Sequence, residues 1–357
     1  MSSSLEVVND ITWTCSDGVK IAGKRWTTNK INDDDNNNGN EDKKLRILAL
    51  HGWMDNCASF DALSRGLMGK FGVLSVSSSE SSNANAIDYD VDFVAIDLPG
   101  HGHSSHKSLD GPTSVQAEYC YYVFEILCLL QWKPEDVTII GHSMGGSIAL
   151  MYAAAFPLKR MCMLDSLGPM TKPVETVSKN LRTGIKARAQ GKMPGSIYPD
   201  FKTAVEARCR TPGLLFPGKQ YISEATAKAL VERGSSIQRV VESAQEPGEN
   251  GPNVNANNNA NGRLQFRHDQ RLNWPSMLFL SVAQVEQMYR DVANQKQTST
   301  CLLTAIDGMP FPPDKIARTK DLLKPDLYRS LPGSHHFHSD PDGVEGVVDT
   351  IFSWLTL

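Results

Sequence analysis

The sequence predicts an α/β protein: a mostly parallel, twisted sheet with helices on both faces, carrying one inserted helical cap. Three observations predict it. Short apolar runs alternate with helix-length stretches over residues 45–164, the rhythm of strands joined by crossover helices. That rhythm stops over residues 166–297, where helix-like segments dominate, and resumes at residue 300. Several runs also end in glycine-bearing turns rich in polar residues, as expected where parallel strands deliver a site to one edge of the sheet.

Residues 7–15 and 19–26 alternate apolar and polar around Asp17-Gly18, a hairpin signature. Then follow a strand at 45–50, a helix near 60–68, a strand at 91–96, a helix at 115–130, a strand at 137–140, a helix at 145–155 and a strand at 161–164. The insertion has helical patterns at 179–190, 223–233 and 281–292; strands at 300–306 and 326–331 and a helix at 344–354 close the chain. Three polar tracts interrupt without replacing any element: an Asn-rich insert at 28–43, a Ser-rich loop at 75–88 and an Asn-rich insert at 246–262. The expected organisation is a core of residues 1–165 and 299–357 around a cap of residues 166–298.

With 357 residues, 40% hydrophobic and 21% charged, the chain is large enough to bury a sizeable core. Its net charge of -4, without a basic stripe along the sequence, argues against nucleic acid and anionic membranes as partners and for a small-molecule substrate. Seven cysteines, odd in number and without a C-x-x-C pair, read as reduced thiols. No secretory pattern opens the sequence and no run approaches 18 apolar residues, so a cytoplasmic location is expected. Oligomeric state leaves no readable mark.

The chemistry centres on Gly141-His142-Ser143-Met144-Gly145, between a β-rich run and a helix-forming stretch. A serine hydroxyl is a weak nucleophile and must stand clear of its backbone within reach of a base; a sharp strand-to-helix turn flanked by glycines does this. Three fixed residues arise by chance in roughly one chain in ten of this length, so neighbouring motifs must carry the argument. After the strand at 45–50 comes His51-Gly52-Trp53, where the amide of Trp53, with that of Met144, could hold a developing oxyanion. After the strand at 326–331, the loop Gly333-Ser334-His335-His336-Phe337-His338 offers a general base, His335, with His336 as the alternative. Two aspartates end strands and could orient that imidazole: Asp165, and as the alternative Asp307. Asp97-Leu98-Pro99-Gly100-His101-Gly102-His103 reads as a rigid turn; it lacks the further ligands a metal needs, and no metal or cofactor is expected. Trp53, Trp274, Phe279 and Tyr289 are candidates to line a pocket, and Asp269 with Arg271 forms either an ion pair or a substrate contact.

The order HGW, DLPGHGHS, GHSMGG, an aspartate and PGSHHFH resembles the α/β-hydrolase fold over nearly the whole chain. More narrowly, residues 51–61, Asp165 and residues 269–274 resemble the serine hydrolase-like proteins. The resemblance implies a serine nucleophile at Ser143, a base in the His335 loop, the His-x-x-His spacing to His338 favouring His335, and a poorly defined substrate. It also exposes a departure: the acid position that related hydrolases use after the penultimate strand falls on Gly308, with Asp307 one step off. Asp165 is therefore preferred, matching the narrower family's Leu-Asp pair. A serine at the elbow disfavours epoxide opening and dehalogenation, which relatives perform with an aspartate there. The expected activity is cleavage of a small carboxylic ester through an acyl-enzyme. The alternatives are a non-catalytic ligand-binding protein of the same fold, and carbon-carbon hydrolysis or perhydrolysis by the same triad.

Overall fold

The computed structural model describes residues 6–27, 44–80, 89–108, 116–191, 195–215, 221–238 and 263–357. The Asn-rich tracts at 28–43 and 246–262 lie outside the described residues, as do residues 81–88 of the Ser-rich tract.

Strands β1 (Glu6–Thr14), β2 (Lys20–Thr27), β3 (Lys44–Leu50), β4 (Asp90–Ile96), β5 (Val137–His142) and β6 (Arg160–Leu164) make the first part of the main sheet. Two later strands, β10 (Ser299–Asp307) and β11 (Leu327–Ser334), complete eight in the order β1-β2-β4-β3-β5-β6-β10-β11. The β1–β2 and β2–β4 pairs are antiparallel and the rest are parallel. Chain order runs outward in opposite directions from β3 and β5, so the crevice at their carboxyl ends is the switch point where ligands bind in open α/β sheets.

Alternation along the strands sorts side chains to two faces. Leu48 and Leu50 of β3 join one buried cluster with α2 (Tyr119–Leu129) and α3 (Met144–Ala155). Ile47 and Ala49 join the other with α1 (Asp61–Glu80) and α9 (Val344–Leu355). Both faces are covered, which is why these strands read as continuous apolar runs.

Between β6 and β10 lie α4 (Val177–Ala189), β7 (Ile197–Tyr198), α5 (Phe201–Leu215), α6 (Glu224–Gly234), β8 (Ser235–Gln238), β9 (Arg263–Phe266) and α7 (Val282–Asn294). This insertion is not purely helical: β7, β9 and β8 form a three-stranded antiparallel sheet. Two to four residues per strand are too few for alternation to register in the sequence. Nor does the whole of residues 166–298 stand apart from the core. Val285, Tyr289 and Val292 of α7 are buried in the cluster that contains α3, and α7 packs on α3 and on α8 (Pro313–Leu323). The remainder has a small core of its own, including Val205, Ile222, Leu230, Val231 and Leu264.

Helix α1 runs to Glu80, through the first residues of the Ser-rich tract read as a loop at 75–88. Serine costs only a few tenths of a kcal/mol in a helix interior, so a serine run alone does not end one. Helices α5 and α8 were not among the helical segments expected from the sequence.

Candidate active site

Strand β5 turns into α3 at Ser143, whose φ of 52° and ψ of -112° are sparsely populated for any residue but glycine. The surrounding hydrogen bonds hold it there: its N–H donates to the Leu164 carbonyl at 3.0 Å, and its own carbonyl accepts from Gly146 at 3.1 Å. A Cβ on Gly145 would overlap the Leu50 carbonyl at the end of β3, and one on Gly141 would overlap the Gly145 carbonyl. Close approach therefore demands both glycines, and it draws the loop after β3 against the elbow. In that loop the amide of Trp53, like that of Met144, has no acceptor among the described residues. Met144 opens α3, where unpaired amides and the positive end of the helix dipole favour negative charge.

Asp165 follows β6 directly and also takes a positive φ, 45°. Its N–H donates to the Leu303 carbonyl at 2.7 Å, while its carboxylate accepts from the amides of Ala305 at 3.1 Å and Met309 at 2.7 Å. The remaining partner is His335, whose Nδ1–H donates to Asp165 Oδ2 at 2.6 Å. That bond fixes the tautomer and leaves Nε2 as the acceptor. A Cβ on Gly308 would overlap the Asp165 carboxylate, so the space just beyond the end of β10 is filled by the side chain that follows β6. Asp307 sits one residue earlier, opposite Ser334 of β11, and the imidazole of His335 turns to Asp165 instead. The hydroxyl of Ser143 makes no hydrogen bond among the described residues. Its neighbour His142 does reach the base loop: His142 Nε2–H donates to the His335 carbonyl at 2.8 Å, with the two rings 4.6 Å apart.

His336, the alternative base, is engaged elsewhere. Its Nε2–H donates to Asp55 Oδ2 at 3.1 Å, and Arg208 of α5 pairs with the other oxygen of that carboxylate. Burial opposes the charge on Asp55, yet His336 and Arg208 outweigh it and hold the carboxyl well below its usual range. Burial drives His142 and His338 the other way, towards neutral rings, reinforced by the neighbouring imidazoles. Neutral His142, protonated on Nε2, presents a lone pair on Nδ1 to Asp55 Oδ2 at 3.7 Å. Two acceptors facing one another make no hydrogen bond, so that contact is proximity and not a salt bridge. Asp55, His142 and His336 bring potential metal-ligating atoms within 4.8 Å of one another. Arg208 and the His336 proton already satisfy the carboxylate, and a cation would have to displace both. Sequence reasoning missed this network: Asp55 had a visible place in the loop after β3, whereas Arg208 gave no signal.

The three histidines of the turn after β4 do not converge. His101 Nδ1 bonds the Pro99 carbonyl at 3.1 Å, His103 faces Asp10, and His106 Nε2 bonds the Arg267 carbonyl at 2.7 Å. Asp97 makes the turn rigid, accepting from the amides of Cys57 at 2.8 Å and His103 at 2.7 Å and from Arg233 of α6 at 2.9 Å. Asp269 and Arg271 form a buried ion pair at 2.6 Å, and Arg271 also bonds the carbonyls of Lys107 and Ser108. Of the aromatic candidates, Tyr289 of α7 is buried with its hydroxyl on the Leu167 carbonyl. Arg188 lies over Trp274 and Lys172 over Phe279, and Trp53 is exposed beside the elbow.

Comparison with known proteins agrees with this architecture. Residues 46–185 match the family model of the alpha/beta hydrolase fold. A crystal structure of a hypothetical protein from Pseudomonas aeruginosa PAO1 superposes with a TM-score of 0.72 at 25% identity, covering 98% of this chain and 100% of that one. The chain has the α/β-hydrolase fold. This hydrolase-fold chain is similar to a probable serine hydrolase of Drosophila melanogaster, 28% identical over 321 residues, which span 84% of this chain and 78% of that protein. It is also similar to a serine hydrolase-like protein of Danio rerio, 27% identical over 312 residues, 85% of this chain and 79% of that one.

Proposed function

We propose that the chain is a serine hydrolase that cleaves a small carboxylic ester or related acyl bond through an acyl-enzyme. The observation that carries this reading is the 2.6 Å bond from His335 Nδ1 to a buried Asp165, beside a strained elbow serine. In this scheme Ser143 Oγ attacks the acyl carbon while His335 Nε2 accepts its proton; Asp165 holds the ring and stabilises the imidazolium. The amides of Trp53 and Met144 receive the oxyanion, and His335 returns the proton to the leaving alcohol. Water then repeats the sequence on the acyl-enzyme, releasing the acid and free serine. The part of the insertion before α7 acts as a cap over the site, and the side chains it lowers over the elbow select the acyl group. Seven free cysteines suit a reducing compartment, and no helix among the described residues is long and apolar enough to cross a membrane.

The test is fluorophosphonate labelling and p-nitrophenyl ester turnover by wild type and Ser143→Ala. Loss of both, by at least about 10³-fold in turnover at unchanged melting temperature, is expected. Undiminished turnover by the variant refutes the proposal, and a folded wild type that neither labels nor turns over points to a binding protein.

A further inference from the structure

The net charge of -4 hides a local reversal. Helix α4 carries Lys179, Arg182, Lys186 and Arg188 and no acid over its 13 residues. Lys179, Arg182 and Lys186 have no acidic partner among the described residues. Helical spacing sorts the side chains into three stripes. Asn180 and Gly184 face inward, where a Cβ on Gly184 would overlap Met277, so α4 rides flat on the segment carrying Pro275 and Met277. Val177, Leu181 and Ile185 recur at every fourth residue on a second stripe, and Lys179, Arg182 and Lys186 make the third.

The two ends of the apolar stripe face water, with Leu181 half-buried between them. Ile185 is 57% exposed and Val177 44%; just before the helix Met170 is 71% and Val174 66% exposed, and Leu278, next to the Met277 that lies against Gly184, is 69% exposed. Single exposed apolar side chains need no explanation, but several on one helix and its flanks, bordered by unpaired cations, do. We infer that this face of α4, with Met170, Val174 and Leu278, is a docking surface for an anionic lipid bilayer. A helix lying in the headgroup plane buries an apolar stripe at the acyl boundary while lysine and arginine meet lipid phosphates and carboxylates. An RNA or an acidic protein would use the cations and leave the apolar stripe wet, so charge and apolarity together favour lipid. The surface charge expected from the sequence misses this face because acidic residues elsewhere cancel it in the total.

The inference is independent of the catalytic proposal, and its primary readout is vesicle binding. The full chain is sedimented with vesicles of phosphatidylcholine alone, or with phosphatidylserine added, alongside Lys179→Glu/Arg182→Glu/Lys186→Glu and Val174→Asp/Ile185→Asp. All these positions are exposed, and melting temperatures check that the variants fold. Expected is binding to the phosphatidylserine vesicles that weakens with salt and falls at least tenfold in each variant, with turnover of a soluble ester unchanged. Failure of the wild type to sediment with either vesicle overturns the inference, as does equal sedimentation of the variants. Salt-sensitive binding to RNA without vesicle binding also overturns it. So does a rise in KM for the soluble ester in the aspartate pair with vesicle binding intact, which would make the face part of the substrate channel.

Discussion

The main sheet and the insertion between β6 and β10 are held by different forces. Around the elbow, backbone meets backbone: Gly145 lies against the Leu50 carbonyl, Ser143 bonds Leu164, and Asp165 bonds the amides of Ala305 and Met309. The part of the insertion before α7 has a small apolar core and is tied to the loops at the sheet edge mainly by side chains: the ion pairs of Arg208 with Asp55 and Arg233 with Asp97, and hydrogen bonds such as Asn56 to the Leu230 carbonyl and Arg267 to the Gly102 carbonyl. Backbone packing fixes positions to fractions of an ångström, as chemistry at Ser143 requires. A few side-chain ion pairs and hydrogen bonds specify where the insertion sits and leave its surface free to vary, which suits a region that selects substrate.

The sharpest way to break this comparison is at the acid. Asp165→Asn leaves the fold in place but gives His335 the wrong partner, and turnover is expected to fall by about 10⁴-fold, while Asp307→Asn stays near wild type. Equal losses in both variants would show that the His335–Asp165 bond is not what orders the base.

Next comes the anchor of the insertion. Arg233→Ala strands the buried Asp97 carboxylate, whose charge is opposed by burial and upheld by Arg233. Denaturant unfolding should show a loss of about 3–5 kcal/mol. A loss below about 1 kcal/mol would mean that the turn amides alone hold Asp97.

In the elbow, Gly145→Ala must push α3 away from β3. Overpacking against rigid backbone is expected to cost about 3 kcal/mol and to abolish fluorophosphonate labelling, measured by denaturant titration and gel fluorescence. Retained labelling would mean that the elbow is looser than its contacts imply.

The smallest effect concerns protons. Burial, reinforced by His51, pushes His101 down to about 3, and burial pushes His268 down to about 4, so both are neutral in the folded chain and titrate near 6.5 when unfolded. Below about pH 6.5 the unfolded chain binds the proton first, so stability falls with pH by up to about 1.4 kcal/mol per unit for each histidine. Asp55 and Asp97, held low in the fold, add to the loss only below about pH 3.9, and Glu286, held down to about 2 by Arg318 and Arg290, adds from about pH 4.5 downward, so the range from 6 to 5 is dominated by histidine. Melting temperatures across that range should drop in wild type and less steeply in His101→Phe; parallel curves would exclude His101 as a source.

The main-sheet strands were legible because each is a short apolar run bounded by turn residues, and the elbow because its glycines flank a serine after such a run. The sheet within the insertion was not, since β7 has two residues and β9 follows an Asn-rich tract. Helix α7 was read as part of the cap because helical periodicity says which side is apolar, never which neighbour it covers.

Sequence alone determined the order of the main-sheet strands and which residue types stand at their ends, because period and turn chemistry are local properties of the chain. Only the tertiary structure decided that Asp165 turns to His335, that Asp165 occupies the space above Gly308, and that Arg208 reaches Asp55 across 153 positions. Those choices depend on which backbones approach within a few ångströms, and that distance is set by packing between segments far apart in sequence.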